Sequence, residues 1–463
     1  MFKWFGEGKN IESQKKALHN WQIMSIEVRD PVHGTISLSD GETAVVDSPE
    51  FQRLRAIKQL GFADVSFPGA THTRFLHSLG VCHLAGKVFE HIFRQFPFSN
   101  VQTRDRLSQV FRLGALLHDV GHGPLSHTTE EVMPPLKDLK VAVYQKRQLG
   151  ASQALLTDPV EKRATHEDYT IKYLTDSPLT SVLRQNFSDI SPLHIACLID
   201  KTLDCPDDFF MDKGLDFRPI LSQLVSGELD CDRMDYLERD SYFTGTNYGK
   251  FDRDWMINNM IPYPLDGKLY LGLNRRALYT FDDFLISRHH IHLMVYFHHK
   301  CLIFEEMLNL YLTSEDCTFK LPADIADYTQ YNDFRLHEHL ASSKNPWAQR
   351  IASKQPYKML AEFHNTSENM RPENIRRALE DVGIDVIWAS SKARLSKYHS
   401  STPEDRSYQI YVVDQYDKWD KPSPIDQSTE IFQKYENARI IDRLYVAPEN
   451  YARAEKILID KRL

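Results

Sequence analysis

Three histidines and two aspartates, His77, His118, Asp119, His122 and Asp232, carry the strongest chemical signal in this chain. The densest piece is H-D-V-G-H-G-P-L-S-H, His118 to His127, at the end of an apolar helical run. An adjacent His-Asp pair can bind one divalent ion through imidazole nitrogen and carboxylate oxygen together. That mixed donor set suits Fe, Mn, Ni or Zn better than the all-oxygen cage magnesium prefers. Together the five residues point to a metal that works on phosphates.

Each of these side chains needs an element to hold it. Residues 1–24 read as a polar, frayed tail. From Ser25, I-E-V-R-D-P-V-H-G-T-I-S-L-S alternates and breaks at Pro31 and Gly34, predicting two short strands around a turn. D-S-P-E then opens a helix capped by Asp47 or Ser48, with Pro49 in its first turn and Gly61 as its stop. From about Arg74 the apolar spacing is helical and places His77 on the same stripe as Val81, Leu84 and Val88. Leu107 to His118 reads as another buried helix. Residues 134–163 read as a mobile insertion, and a helix restarts with His166 near its beginning.

Asp232 gives a sharper test. A helix from about Pro219 to Asp240 would put Leu221, Leu224, Val225 and Glu228 on one face with Asp232, Asp235, Tyr236 and Arg239. Its core stripe turns polar partway along, and a buried carboxylate needs a partner or a metal. A further long helix, about Phe281 to Leu312, carries the run His289, His290, His292, His298 and His299. Only some of these share a face, and no carboxylate accompanies them, so they read as packing and substrate or subunit contacts. The expected architecture is mainly α over 25–320, with a smaller α+β region at 321–463. In that region W-A-Q-R-I-A-S-K and E-N-I-R-R-A-L-E read as helices, and D-V-I-W-A, Y-Q-I-Y-V-V and D-R-L-Y-V as strands.

Composition bounds the setting. The chain has 463 residues, 42% hydrophobic and 26% charged, ordinary values for a globular protein. No apolar stretch reaches the roughly 18 residues of a membrane span, and the N-terminus lacks an apolar signal core. Six scattered cysteines without a C-x-x-C pair read as reduced thiols. A cytoplasmic location is the expectation. The net charge of −8 argues against nucleic acid as the main partner. An acidic protein that handles nucleotides must gather its cations at the phosphates, and Arg53, Arg55, Lys58, Arg74 and Arg233 are the candidates.

Five strings carry a resemblance: D-P-V-H-G, F-Q-R-L-R-A-I-K-Q-L-G, F-P-G-A-T-H-T-R-F-L-H-S-L-G, H-D-V-G-H-G-P-L-S-H and D-C-D-R-M-D-Y-L-E-R-D. The resemblance runs from about Ile26 to Lys300. The chain resembles the HD-domain phosphohydrolases and, within them, the deoxynucleoside triphosphate triphosphohydrolases. The resemblance implies an HD helical core with short N-terminal β elements. It implies that His77, His118, Asp119 and Asp232 hold the metal, with magnesium carried on the triphosphate. It places His122, His127 and His166 around the reacting phosphate, Arg74 and Arg233 at phosphates, Gln59, Tyr236 and Asp240 at the sugar, and Tyr296 or Lys300 near the nucleotide.

Chemistry agrees with those roles. Attack at a nucleotide α-phosphorus needs an activated water, charge neutralisation and a proton for the leaving 5′ oxygen. An imidazole near neutral pH is a suitable donor. His127 is the expected acid, oriented by Glu130, where the family more often has aspartate. Asp47, Gln52 and Arg55 resemble the guanine-reading residues of an activating nucleotide site, for GTP or a dNTP. Ile26 and Trp255 stand where that site has basic residues, leaving Arg29 or Arg253 for its phosphates. The resemblance also implies a dimer or tetramer. Two other readings stay open: hydrolysis of a different nucleotide or phosphoester at the same site, and a non-catalytic nucleotide sensor.

Overall fold

The computed structural model describes residues 26–146, 162–365, 370–393, 409–417, 421–431 and 439–461. The polar tail and residues 147–161 of the 134–163 insertion lie outside them. The chain opens with an antiparallel hairpin, β1 (Ile26–Asp30) and β2 (Gly34–Leu38), in the register Asp30 opposite Gly34. Gly34 takes φ +76°, which closes the turn without the strain a side chain would add. The Asp30 carboxylate accepts from the Val32 and His33 backbone N–H groups at 2.9 and 2.8 Å, so the turn is held by its own aspartate.

Helix α1 (Arg74–Ile92) is the axis of the fold, buried almost all round. Helix α2 (Val101–Leu117) packs along it, begun by Asn100, whose side chain accepts from Thr103 N. Helix α3 (His166–Thr175) starts at a Thr165–Asp168 capping box. Helices α4 (Pro192–Ile199) and α5 (Arg218–Val225) cover α2, and α6 (Cys231–Thr244) covers α1. The hairpin β3 (Met260–Leu265) and β4 (Lys268–Asn274) leads into α7 (Leu278–Ile291) and α8 (His299–Leu312). Fully buried Leu84, Phe89, Leu113, Phe111, Leu198, Leu221 and Leu237 run through one continuous core.

Beyond residue 320 the chain first stitches itself to the helical body. Tyr328 donates to the Gly121 carbonyl at 2.8 Å, and the Asp333 carboxylate accepts from Lys58 N at 2.9 Å and Leu125 N at 2.8 Å. It then forms an antiparallel sheet in the order β5 (Lys358–Asn365), β8 (Arg439–Val446), β6 (Val386–Ala393). Helices α9 (Arg371–Glu380) and α10 (Tyr451–Lys461) close it around Ile375, Leu379, Leu444 and Val446. The short strand β7 (Tyr411–Val413) instead pairs in parallel with β4 of the main body. The mainly α core, the N-terminal hairpin and the α+β C-terminal region are thus all present.

Three expected helices are broken. The stretch read as one helix over 219–240 is α5 and α6, separated at Ser226–Asp230. Asp230 starts the second piece, its carboxylate accepting from Arg233 N at 2.7 Å and Gly227 N at 2.8 Å. The expected helix over 281–312 has a π-turn at His292–Tyr296 and restarts at His298, whose ring accepts from Lys300 N. The helix expected to run from Asp47 or Ser48 to Gly61 is one α-turn, Pro49–Gln52, capped by Ser48, followed by a 3-10 turn to Ala56. Its continuation is pulled away because Lys58 pairs with Thr73 and with Asp333. The β3–β4 hairpin and β5 were not anticipated.

Candidate active site

Three elements converge on one point: α1 brings His77, the end of α2 brings His118 and Asp119, and α6 brings Asp232. His77 Nε2 lies 3.0 Å from Asp232 Oδ1 and 3.7 Å from Asp119 Oδ2. His118 Nε2 lies 3.4 Å from Asp119 Oδ1 and 3.6 Å from Asp232 Oδ1. Neither Nε2 has hydrogen-bond geometry to any described group, although both are buried. Their other nitrogens explain why. His118 Nδ1 donates to the Ala115 carbonyl at 2.8 Å, and His77 Nδ1 lies 2.8 Å from Asp235 Oδ2. A carbonyl can only accept, so the His118 Nε2 lone pair is left open. The buried carboxylate does the same for His77. This is the usual arrangement behind imidazoles that ligate a metal.

A second cluster, His194, Cys205 and Asp207, is equally close-set but lacks that property. There His194 Nδ1 accepts from Ser191 N at 3.1 Å, so Nε2 keeps its proton toward Asp207. The donors around His77 fit a divalent ion, and those around His194 do not. No metal cluster among the described residues includes the 289–299 histidine run.

Beside these candidate ligands sits a second group of rings. His122 stacks on His166 with centroids 3.8 Å apart, and His127 stands edge-on to both. Glu130 Oε1 lies 2.5 Å from His166 Nδ1 and 3.2 Å from His127 Nδ1, so one carboxylate orients two imidazoles. Burial opposes ionisation of Glu130, but His127 and His166 outweigh it and hold the carboxyl down to about 2. Burial, then Arg74 and His166, keeps the His122 imidazole neutral well into the acid range. Asp119 joins the two groups. It faces Arg74 Nη1 and lies 3.3 Å from His122 Nε2, while burial opposes its charge and Arg74, His118 and His122 restore it. The same arginine reaches Ser126 Oγ. Leu125 and Ser126 take φ +50° and +63°, left-handed conformations that turn His127 toward the rings.

On the far side, Asp240 is held by His72 Nε2 at 2.7 Å and the Tyr296 hydroxyl at 2.5 Å. Gln59 N donates to the His72 carbonyl, and Gln59 Oε1 is buried with no partner among the described residues. Tyr236 stands 6.4 Å from the Tyr296 ring. Arg233 and Arg288 share the buried Glu228 at 3.1 and 2.8 Å. Lys300 is exposed, and its side chain joins none of these residues. Asp47 and Arg55 are exposed at the surface, where Arg55 Nε donates to Gln52 Oε1 at 2.7 Å and lies over Phe75. Arg253 pairs with Glu238 and His33 rather than standing open for a phosphate, and exposed Arg29 donates to Thr35.

Sequence reasoning overlooked His33, His72, Glu228, Arg288 and Asp333 as site-related residues. His33 and His72 sit inside strings already singled out, but their partners, Asp235 and Asp240, are far away in sequence. Among the described residues no helix is long and apolar enough to cross a membrane.

The model of the HD domain matches residues 74–174, and that of an HD-associated region matches residues 251–384. The chain is 30% identical over 414 residues to an uncharacterized protein of Methanocaldococcus jannaschii, covering 87% of this chain and 75% of that one. It is 28% identical over 326 residues to the deoxynucleoside triphosphate triphosphohydrolase SAMHD1 of Homo sapiens, covering 67% of this chain and 48% of that one. The chain therefore spans about half the length of the human relative. A crystal structure of a hypothetical protein from Aquifex aeolicus superposes with a TM-score of 0.70 at 26% identity, over 94% of this chain and 100% of that one. The donor set, the fold and these relatives agree that the chain belongs to the HD-domain phosphohydrolase family.

Proposed function

We propose that the protein hydrolyses deoxynucleoside triphosphates to deoxynucleoside and inorganic triphosphate. The observation that carries this reading is the place of Asp119. It touches the open imidazoles on one side and the neutral ring of His122 on the other, so ligands and proton-handling groups meet at one reacting centre. His77, His118, Asp119 and Asp232 would hold a divalent ion of the Fe, Mn, Ni or Zn type. Such an ion supplies positive charge to the α-phosphate and lowers the pKa of water.

The remaining work falls to the side chains. Arg74, Arg233 and Arg288 neutralise phosphate oxygens, with Glu228 fixing the last two in a fork. His127, steadied by Glu130, donates a proton to the leaving 5′ oxygen, and His166 shares that carboxylate. Asp240 and Gln59 accept hydrogen bonds from the sugar, and the Tyr236 ring packs where a 2′-hydroxyl would stand. Magnesium accompanies the triphosphate. The similarity to SAMHD1, by its name a deoxynucleoside triphosphate triphosphohydrolase, supports the substrate class.

The test incubates purified protein with Mn²⁺ and each dNTP, with and without GTP, and resolves the products. Triphosphate release that disappears in His118→Ala is the expected result. Metal-loaded protein that yields no triphosphate from any dNTP would overturn the reading in favour of another phosphoester.

A further inference from the structure

The D-P-V-H-G turn has no part in the chemistry above, yet it reaches the back of the site. His33 Nε2 lies 2.5 Å from Asp235 Oδ1, across 202 residues of sequence. Arg253 Nη1 donates to His33 Nδ1 at 3.2 Å, so Nδ1 is the acceptor and Nε2 carries the proton toward Asp235. Arg239 grips the same carboxylate with Nε at 2.8 Å and Nη2 at 2.9 Å. His77 Nδ1 completes the set at 2.8 Å. Asp235 therefore accepts four hydrogen bonds, two at each oxygen, which exhausts its lone pairs. Arg239 is gripped in turn by Asp30, at 2.7 and 3.3 Å.

His33, Asp235 and Arg239 have no exposed side-chain surface, and that of Asp30 is 1% exposed. Such a network is stable only when every polar group in it is paired. It also carries charge: the Asp30 and Asp235 carboxylates face the single Arg239 guanidinium, and Arg253 at His33 is itself paired with Glu238, so one net negative charge stands behind His77. A negative group at Nδ1 makes the opposite nitrogen a better donor to a cation. Gly80 of α1 is the clearance for the arrangement, since a Cβ there would overlap Asp235 Oδ1 and Arg239 Nη2.

We propose that His33 is a positioning residue for the metal centre. Delivered by the β1–β2 turn, it locks the Asp235 carboxylate that aims and polarises His77, and so sets the affinity for the divalent ion. The inference rests on the metal-centre reading above, and concerns residues that touch neither metal nor substrate.

The experiment strips the purified full chain with chelator and titrates Mn²⁺ calorimetrically into wild type, His33→Ala, His33→Gln and His118→Ala. The visible absorption of the Co²⁺-loaded proteins and the thermal unfolding of the metal-free forms are recorded alongside. Loss of a second-layer partner weakens metal binding by ~10–100-fold. That loss is expected in His33→Ala with an altered Co²⁺ spectrum. His33→Gln, which still offers an N–H at similar reach, should recover most of the affinity. Should His33→Ala fail to fold, the Gln variant carries the test: near-native affinity supports the proposal, and affinity as low as a ligand deletion overturns it. His33→Ala with unchanged affinity and spectrum, beside a His118→Ala that binds nothing, would overturn the positioning role alone. No binding by wild type would overturn the metal-centre reading itself.

Discussion

Asp333 offers the most direct test of how the region beyond residue 320 serves the site. Its carboxylate is buried and accepts from the backbone N–H groups of Leu125 and Lys58 at 2.8 and 2.9 Å. Leu125 and Ser126 both lie in left-handed backbone, which costs about 1–2 kcal/mol per residue without glycine. The loop that presents His127 thus carries roughly 2–4 kcal/mol of strain by the same measure. A hydrogen bond to a charged group contributes about 1.5–3 kcal/mol. Asp333→Asn turns one of the two acceptors into a donor facing an N–H, so one such bond is lost and a buried N–H is left unpaired. The loss is of the same size as the strain, and the loop should relax away from its working position. At about 1.4 kcal/mol per tenfold, we expect turnover to fall by roughly 10- to 100-fold. Hydrogen exchange at residues 121–132 should quicken, while metal affinity changes less. Steady-state kinetics and peptide-resolved exchange read both effects. Unchanged turnover together with unchanged exchange in Asp333→Asn would refute the argument.

Other expectations concern the groups around the reacting centre. A Cβ on Gly121 would overlap the backbone of His166 and Thr170, so Gly121→Ala should cost about 1–3 kcal/mol of stability and displace His166. A variant with native melting temperature and turnover would contradict it. Tyr296→Phe removes the hydroxyl that lies 2.5 Å from Asp240, and kcat/KM for dNTPs should drop about tenfold with metal affinity unchanged. Equal kcat/KM would show that the Tyr296 hydroxyl does not set Asp240 for reading the sugar. Glu130 is ionised down to about pH 2 in the folded protein against an ordinary value of 4.5. Its stabilising contribution is therefore fully present above that ordinary value and lost as pH falls toward 2. The stability gap between wild type and Glu130→Gln, measured by urea unfolding, should be constant above pH 5 and shrink below pH 4.5; a gap that widens on acidification would show the reverse coupling.

Much of this site was legible from local pattern. Helical spacing placed His77 on the buried stripe of α1, and the hairpin, the end of α2 and the start of α3 at Thr165–His166 each followed from turn or capping residues acting within a few positions. Continuity was harder to read. The break between α5 and α6 preserves the apolar period on both sides, and only Ser226, Gly227 and the capping Asp230 betray it. The π-turn at His292–Tyr296 left no comparable local mark, and neither did the shortening of the helix after Ser48.

What residue order could not decide are the pairings that give each ligand type its chemistry. A histidine at position 77 is a ligand only if its Nδ1 is occupied, and its partner Asp235 lies 158 residues away. Asp235 depends on His33, 202 residues away, and the His127 loop on Asp333, 208 residues beyond Leu125. Residue types and spacing select helices and strands because those forces act between near neighbours. Tautomer, charge state and the stored strain of a loop come from groups that meet only when the chain has packed, where burial makes each unpaired polar atom expensive.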